Sequence, residues 1–113
     1  MEKFVTQALL YDFYGELLTE HQKRIYELVV LEDYSYSEIA KDEGISRQSV
    51  HDMIRRCDAL LEGYEEKLQL IAKFLKTKEL VGKIKTLSGE YNRKKDSSLI
   101  SEIETLADLI IDL

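Results

Sequence analysis

Eight apolar residues, spaced alternately four and three positions apart, run through the middle of this sequence of 113 residues. At about 100° per residue, that spacing places their side chains along one stripe of an α-helix. The stripe consists of Val50, Ile54, Cys57, Leu61, Tyr64, Leu68, Ile71 and Leu75. It predicts one long helix from Arg47 to about Lys76, with a break near Thr77. The favoured interpretation is packing against other helices of the same chain. The alternative is a coiled-coil seam that forms a homodimer.

The composition agrees with a helical protein. Leucine and isoleucine occur 17 and 10 times, valine and threonine five times each, and proline is absent. This mixture, rich also in Glu and Lys, favours helix over sheet. We therefore expect an all-α, single compact domain: residues 1–62 form an N-terminal helix and a helix-turn-helix core, and residues 63–113 form a helical extension that packs on it.

Helix boundaries can be read from the polar residues between the apolar stretches. Thr19 with Gln22, and Ser35 with Glu38, have the spacing of a capping box, in which two side chains satisfy free backbone N–H groups at a helix start. Ser46 is placed to cap a further helix. Downstream, two more apolar stripes, from Leu80 to Tyr91 and from Leu99 to Ile111, surround a polar turn and predict a C-terminal helical hairpin.

The segment from Ser35 to Arg56 has the layout of a helix-turn-helix. Ala40 is small where two helices must cross closely, Gly44 permits a sharp turn, and Ile45 is expected to be buried in the angle. The helix that follows turns its apolar side inward and leaves polar residues on the opposite side, where a nucleic acid would meet them. These candidate nucleic-acid-binding residues are Arg47, Gln48, Ser49, His51, Asp52, Arg55 and Arg56. Asp52 opposes phosphate binding and leaves residues 47–56 with a net charge of only +2.

A second basic surface is suggested by the charge distribution. The whole chain has a net charge of −6, but residues 63–95 carry nine positive and four negative side chains, whereas residues 96–113 carry five negative ones and no positive one. If they share a face, the basic residues could contact RNA phosphates without reading sequence. The alternative, favoured for charge runs in general, is a solvated face partly paired with the acidic last helix. The residues concerned are Lys73, Lys76, Lys83, Lys85, Arg93, Lys94 and Lys95.

Enzymatic sites are not indicated. Ser49, His51 and Asp52 are the residue types of a hydrolase triad, but on one helix Ser49 and His51 lie about 200° apart, so the side chains diverge. A single cysteine, Cys57, excludes an internal disulfide and a cysteine-based zinc site, and the isolated glycines form no phosphate loop. We expect no catalytic residue, no metal and no cofactor. The sequence also lacks an export signal or a membrane-spanning apolar run, so we expect a cytoplasmic protein that does not insert into membranes.

Two resemblances accompany these patterns. Residues 18–56, including Tyr36-Ser37-Glu38-Ile39-Ala40 and Gly44-Ile45-Ser46 followed by Val50, resemble region 4 of bacterial sigma factors. Nearly the whole chain resembles the YlxM family of small helix-turn-helix proteins. The sigma resemblance implies that the seven residues of the 47–56 segment listed above are the recognition residues. The YlxM resemblance implies a bacterial, cytoplasmic, non-enzymatic protein with a regulatory role, associated with the signal recognition particle pathway.

Two functional hypotheses follow. In the first, residues 47–56 bind DNA or signal recognition particle RNA in a regulatory protein. In the second, the chain is an adaptor that binds a protein of the targeting machinery and keeps the helix-turn-helix only as a scaffold, as a fold alone does not determine function.

Overall fold

The computed structural model describes residues 2–113, and every regular element in that range is helical, which confirms the all-α prediction. A short 3-10 turn, Gly15–Leu17, separates the first two helices. The helices are α1 (Lys3–Tyr14), α2 (Glu20–Val30), α3 (Tyr36–Glu43), α4 (Arg47–Leu68), α5 (Leu70–Lys94) and α6 (Ser98–Ile111).

The predicted caps begin α2, α3 and α4. The Thr19 hydroxyl accepts a hydrogen bond from the Gln22 backbone N–H at 3.2 Å, and the Gln22 side chain accepts one from the Thr19 N–H at 2.9 Å. Ser35 and Glu38 form the same reciprocal pair at the start of α3, with both bonds at 3.1 Å. At the start of α4, the Ser46 hydroxyl accepts from the Ser49 N–H at 3.0 Å. These local bonds fix where the helices of the helix-turn-helix begin.

The turn between α3 and α4 depends on Gly44. Its φ of 69° is left-handed, a conformation that other residues adopt only with strain, and its N–H donates to the Ala40 carbonyl. The Ile45 N–H donates to the same carbonyl at 3.0 Å. The expectation that Ile45 is buried is wrong, since 38% of it is exposed. The two helices are instead held by Ile39, Ala40 and Val50, which are buried in the core, so the space between them is filled without Ile45.

The chain divides into two compact units, the first ending at Ile71 and the second covering Ala72–Leu113. In the first unit, α4 packs against α1, α2 and α3 around one apolar core. The buried members of this core are Leu10, Tyr14, Leu18, Ile25, Tyr26, Val29, Ile39, Ala40, Val50, Ile54, Cys57, Leu61 and Ile71.

The stripe that predicts one long helix is interrupted at Gln69. Gln69 has a left-handed φ of 57°, α4 ends at Leu68, and α5 starts at Leu70 and continues through Thr77 to Lys94. The predicted helix to about Lys76 and the break near Thr77 are therefore wrong. The reason is a set of contacts that periodicity does not reveal.

Tertiary hydrogen bonds stabilise this break. The Tyr14 hydroxyl donates to the Glu65 carboxylate and accepts from the Leu70 N–H at 3.2 Å. The Glu65 carboxylate also accepts from the Ile71 N–H at 2.9 Å. The Gln69 side-chain amide donates to the carbonyls of Glu65 and Glu66 at 3.2 and 3.1 Å. Both helix ends at the break thus have partners for backbone groups that would otherwise be unsatisfied.

The stripe also does not form a seam between copies along its first half. Val50, Ile54, Cys57 and Leu61 are at most 2% exposed and belong to the core of the first unit. The alternative of a homodimer seam cannot use these side chains, because the chain's own helices already cover them, as the favoured interpretation expects. Further along, Leu68 is exposed.

A partly buried polar network connects α4 to α1 and α2. The Gln7 amide donates to both carboxylate oxygens of Asp58, at 3.0 and 3.1 Å, and the Tyr26 hydroxyl donates to one of them at 2.6 Å. Burial and the neighbouring Asp58 carboxylate raise the pKa of the Tyr26 hydroxyl, so it stays protonated and remains a donor. The network fixes the orientation of α4 and hence of its exposed side.

In the second unit, α5 and α6 are joined by a turn at Lys95, which has a φ of 54°. The Asp96 carboxylate accepts from the Ser98 N–H at 3.0 Å and from the Ser98 hydroxyl at 2.8 Å, which caps the start of α6. Both helices line one open cleft of about 590 Å³. Among residues 72–113, all of which the structure describes, only Leu80 and Leu99 are buried.

Candidate nucleic-acid interface

The first three turns of α4 present their polar side to solvent. Val50, Ile54 and Cys57 point into the core, which leaves the opposite side of the same helix uncovered. Arg47, Gln48, Ser49, Arg55 and Arg56 are exposed, and His51 and Asp52 are half-buried. The seven candidate residues therefore all lie on or beside one solvent-facing side of α4, which we call the α4 face.

Helix geometry orders the residues within the α4 face. At about 100° per residue, Gln48, Asp52 and Arg55 fall within about 60° of one another and form its centre. His51 and Arg56 flank this centre, whereas Arg47 and Ser49 lie at its opposite edges. A shallow depression of about 310 Å³ lies beside the centre and is lined by Asp52, Arg55, Arg56 and Ala59.

On the α4 face, the acidic side chain has partners within its own helix, whereas the arginines have no carboxylate partner among the described residues. The Asp52 carboxylate accepts a hydrogen bond from the Gln48 amide at 3.0 Å and lies 3.8 Å from Nδ1 of His51. Within residues 2–113, by contrast, no acidic side chain forms a salt bridge with Arg47, Arg55 or Arg56. Asp52 is thus engaged along its own helix, and the three guanidinium groups remain available to an external anion.

Two other candidates have local roles as well. The Ser49 hydroxyl lies 2.8 Å from the Ser46 hydroxyl, so it is part of the α4 cap and not of a triad with His51. The His51 ring packs edge-on against Tyr36 of α3, with ring centroids 5.7 Å apart. Tyr36 is not among the seven candidate residues. The signal that could have indicated its role is that an aromatic residue begins the helix that packs against α4, where it can meet a ring such as that of His51.

The basic residues of the C-terminal half do not all share one face of α5. Six of them lie on α5, and Lys95 follows it. Lys83 and Lys85 are two positions apart and so point about 160° away from each other. Lys76 and Lys83 each lie 3.5 Å from the Glu79 carboxylate of the same helix, and the Lys95 ammonium lies 5.4 Å from the Tyr91 ring centroid. Part of this positive charge is therefore paired within α5.

The lone cysteine is a core residue. Cys57 is 1% exposed, and burial, together with the Asp58 carboxylate, raises the pKa of its thiol to about 11. The thiol is therefore protonated near neutral pH, unlike a reactive cysteine. No group of three or more His, Cys, Asp or Glu side chains in the described part of the chain is arranged to hold a metal ion. No helix within residues 2–113 is long and apolar enough to cross a membrane.

Comparison with known proteins identifies one family model and several relatives that match this chain. Residues 1–103 match a family model described as "Putative helix-turn-helix protein, YlxM / p13 like". The YlxM protein of Bacillus subtilis is 44% identical over 107 residues, which cover 94% of this chain and 97% of that protein. A relative from Bacillus velezensis is 45% identical over the same shares of both chains, and one from Halalkalibacterium halodurans is 39% identical over 94% of this chain and 98% of its own.

Proposed function

Because the chain belongs to the YlxM/p13-like helix-turn-helix family, we propose that it is a non-enzymatic regulatory protein that binds nucleic acid through the α4 face. The observation that carries this proposal is the set of three guanidinium groups, of Arg47, Arg55 and Arg56, that no carboxylate pairs within the described residues. Unpaired arginines on the exposed side of a helix-turn-helix second helix are well suited to phosphates and base edges.

Each part of the α4 face has a distinct role in this proposal. Arg47 and the positive N-terminal end of α4 contact phosphates, where backbone N–H groups and the helix dipole favour negative charge. Arg55 and Gln48 lie at the centre and reach base edges. Asp52 holds the Gln48 amide and offers an acceptor to a cytosine amino group.

Duplex DNA suits this geometry better than duplex RNA. The major groove of B-DNA is wide enough to admit an α-helix, whereas the major groove of A-form RNA is too deep and narrow for side chains to read. Three further parts of the proposal rest on the family resemblance. They are a role for signal recognition particle RNA, membership of the signal recognition particle pathway and a cytoplasmic location.

The affinity should be modest and sensitive to salt. If Arg47 and Arg56 each neutralise one phosphate while Arg55 reads base edges, the logarithm of the binding constant should fall with the logarithm of the salt concentration with a slope of about −2. The net charge of −6 adds repulsion at a distance, which makes the local arginines necessary.

Fluorescence anisotropy with a labelled random-sequence DNA duplex and a labelled RNA hairpin tests the proposal. We expect DNA binding at low salt that weakens along this slope, and loss of most binding in an Arg47→Ala, Arg55→Ala double variant. The matched control is Lys85→Ala, Arg93→Ala, which removes the same charge from α5 and should bind normally. No binding at low salt, or equal loss in both double variants, would contradict the proposal. Tighter binding of the RNA hairpin than of the DNA duplex would support RNA as the nucleic acid that the α4 face binds.

The second candidate, an adaptor for a protein of the targeting machinery, is favoured by the exposed apolar residues of α6, including Ile100, Leu109 and Ile111. In this case a protein partner is captured equally well by the wild type and by the Arg47→Ala, Arg55→Ala variant. The same double variant therefore separates the two functions.

A further inference from the structure

The side-chain amide of Gln48, at the centre of the α4 face, already has partners within its own helix. Its nitrogen donates to the Asp52 carboxylate at 3.0 Å and lies 3.5 Å from Nδ1 of the His51 ring. Because an amide nitrogen only donates hydrogen bonds, Nδ1 of a neutral His51 is the acceptor in this contact and the ring proton is on Nε2. The part of Gln48 that remains free for a base is therefore its carbonyl oxygen.

This arrangement restricts which base edges the centre of the α4 face recognises. A glutamine recognises adenine with both halves of its amide, since the nitrogen donates to N7 and the oxygen accepts from the N6 amino group. With its nitrogen occupied, Gln48 offers only an acceptor, and the neighbouring Asp52 carboxylate also offers only acceptors. Acceptors alone suit the amino group of cytosine, so this state favours G·C pairs.

A charge on His51 would reverse this restriction. Histidine is the side chain whose charge changes closest to neutral pH, and a protonated Nδ1 is a donor that no longer accepts from the Gln48 amide. Nδ1 lies 3.8 Å from an oxygen of the Asp52 carboxylate, so the charged ring has a partner at hand. Protonation also raises the net charge of residues 47–56 from +2 to +3.

The groups that face the His51 ring leave both charge states accessible. From α3, the Tyr36 ring contacts it edge-on, and a phenol carries no charge near neutral pH. On α4, Arg47 and Arg55 lie four positions before and after His51 and oppose its protonation, whereas the Asp52 carboxylate favours it. The charge of the ring is therefore set by opposing groups of the α4 face itself.

Charged side chains of the other helices in the first unit act elsewhere. On α3, Glu38 forms the cap of its own helix, Glu43 pairs with Arg24 of α2, and Lys41 and Asp42 are exposed. Within residues 2–113, no side chain of α1, α2 or α3 forms a salt bridge with the imidazole of α4. The short-range charge partners of this imidazole are thus on α4.

We propose that His51 determines which base the α4 face reads and makes that choice depend on pH. Neutral His51 holds the Gln48 nitrogen together with Asp52, and the face favours G·C pairs. Protonated His51 pairs with Asp52 and frees the Gln48 amide to read adenine, and the added charge tightens binding to the phosphates. This inference rests on the proposed function, because it concerns the same face and the same duplex DNA.

Fluorescence anisotropy at about pH 7.5 and about pH 5.5, on either side of the ordinary histidine titration, tests the inference. The probes are labelled alternating A·T and alternating G·C duplexes of equal length at low salt. The wild type should bind both more tightly at the lower pH. The gain should be at least about fivefold larger for the A·T duplex, since a bidentate base contact discriminates by at least that factor.

The two histidines of the chain provide a variant and its matched control. His51→Ala should bind with the same affinities at both pH values. His21→Ala should keep the wild-type pH dependence, although the His21 ring on α2 also lies 3.8 Å from a carboxylate oxygen, that of Glu43. Far-UV circular dichroism should show wild-type helix content in both variants.

Nuclear magnetic resonance of the free protein tests the coupling without DNA. The side-chain amide resonances of Gln48 should shift with pH along the same curve as the His51 ring resonances. The Gln69 side-chain amide, which donates to the backbone carbonyls of Glu65 and Glu66, is the internal control and should not shift. A Gln48 amide that does not follow His51 overturns the inference.

The binding data distinguish failure of this inference from failure of the proposed function. Equal affinity and equal base preference at both pH values overturn the inference and leave DNA binding by the α4 face intact. Tighter binding at the lower pH with an unchanged base preference and a salt slope steeper by about one also overturns it, because His51 would then contact a phosphate directly. No binding at either pH overturns the proposed function, and this inference with it.

Discussion

The two units of this protein differ in how much of their apolar surface they bury. The first unit surrounds a core of thirteen buried side chains and adds the network of Gln7, Tyr26 and Asp58. The second unit, with two long helices, buries only Leu80 and Leu99. The α4 face is thus held by a scaffold with a buried core, whereas α5 and α6 leave much of their apolar surface exposed.

The largest expected effect comes from the core of the first unit. Ile54→Ala removes most of a side chain that is 2% exposed and should lower the free energy of unfolding by about 2–5 kcal/mol. Leu109→Ala, at a position 49% exposed on α6, should cost under about 0.5 kcal/mol in dilute solution. Urea denaturation measures both. Equal losses would remove the contrast between the units.

The polar network should contribute the next largest effect. Tyr26→Phe deletes a hydroxyl that donates to the Asp58 carboxylate at 2.6 Å and should cost about 2 kcal/mol, since bonds to charged groups are stronger than neutral ones. Tyr34→Phe is the matched control, because Tyr34 is 39% exposed, and it should leave the denaturation midpoint unchanged. A Tyr26→Phe midpoint equal to that of the wild type would show that the network does not stabilise the first unit.

Two glycines of the first unit should respond to alanine with opposite signs. Gly44→Ala forces a side chain into a left-handed conformation with φ of 69° and should destabilise the protein by about 1 kcal/mol. Gly63→Ala lies within α4, where a Cβ meets nothing within 4 Å, and should stabilise by up to about 1 kcal/mol. The shift in melting temperature gives the sign directly. Stabilisation by Gly44→Ala would contradict the turn geometry.

Near neutral pH the smallest effect on stability is that of the Cys57 thiol, whose folded pKa is raised to about 11. Because the pKa of this thiol is higher in the folded protein than in the unfolded one, its contribution to the free energy of unfolding is complete below the ordinary thiol pKa of about 8.5. That contribution is lost as the pH rises through about 11. At pH 8 the folded protein should therefore react with a thiol reagent far more slowly than the urea-unfolded protein does. Equally fast reaction of the folded protein would mean that the core around Cys57 opens readily.

Local features of this molecule could be predicted, and tertiary ones could not. The caps at Thr19, Ser35 and Ser46 and the turn at Gly44 depend on residues close in sequence, and the structure has them where they were expected. The break at Gln69 depends on Tyr14, which is more than fifty positions away, so the continuous apolar stripe was misleading.

The candidate site shows the same division. Helical periodicity was enough to identify the exposed side of α4, because the buried stripe determines which side remains. It could not show that the Ser49 hydroxyl is used by the Ser46 cap, or that His51 packs on Tyr36. Nor could it show that Lys76 and Lys83 share Glu79, since side-chain pairing depends on rotamers and not on spacing alone.

The most direct test of the central claim is the mapping of backbone amide chemical shifts during titration with a short DNA duplex at low salt. The account predicts that the largest changes fall within residues 46–56, with their centre near Gln48 and Arg55. Changes confined to α5, or the absence of any change at low salt, would contradict it.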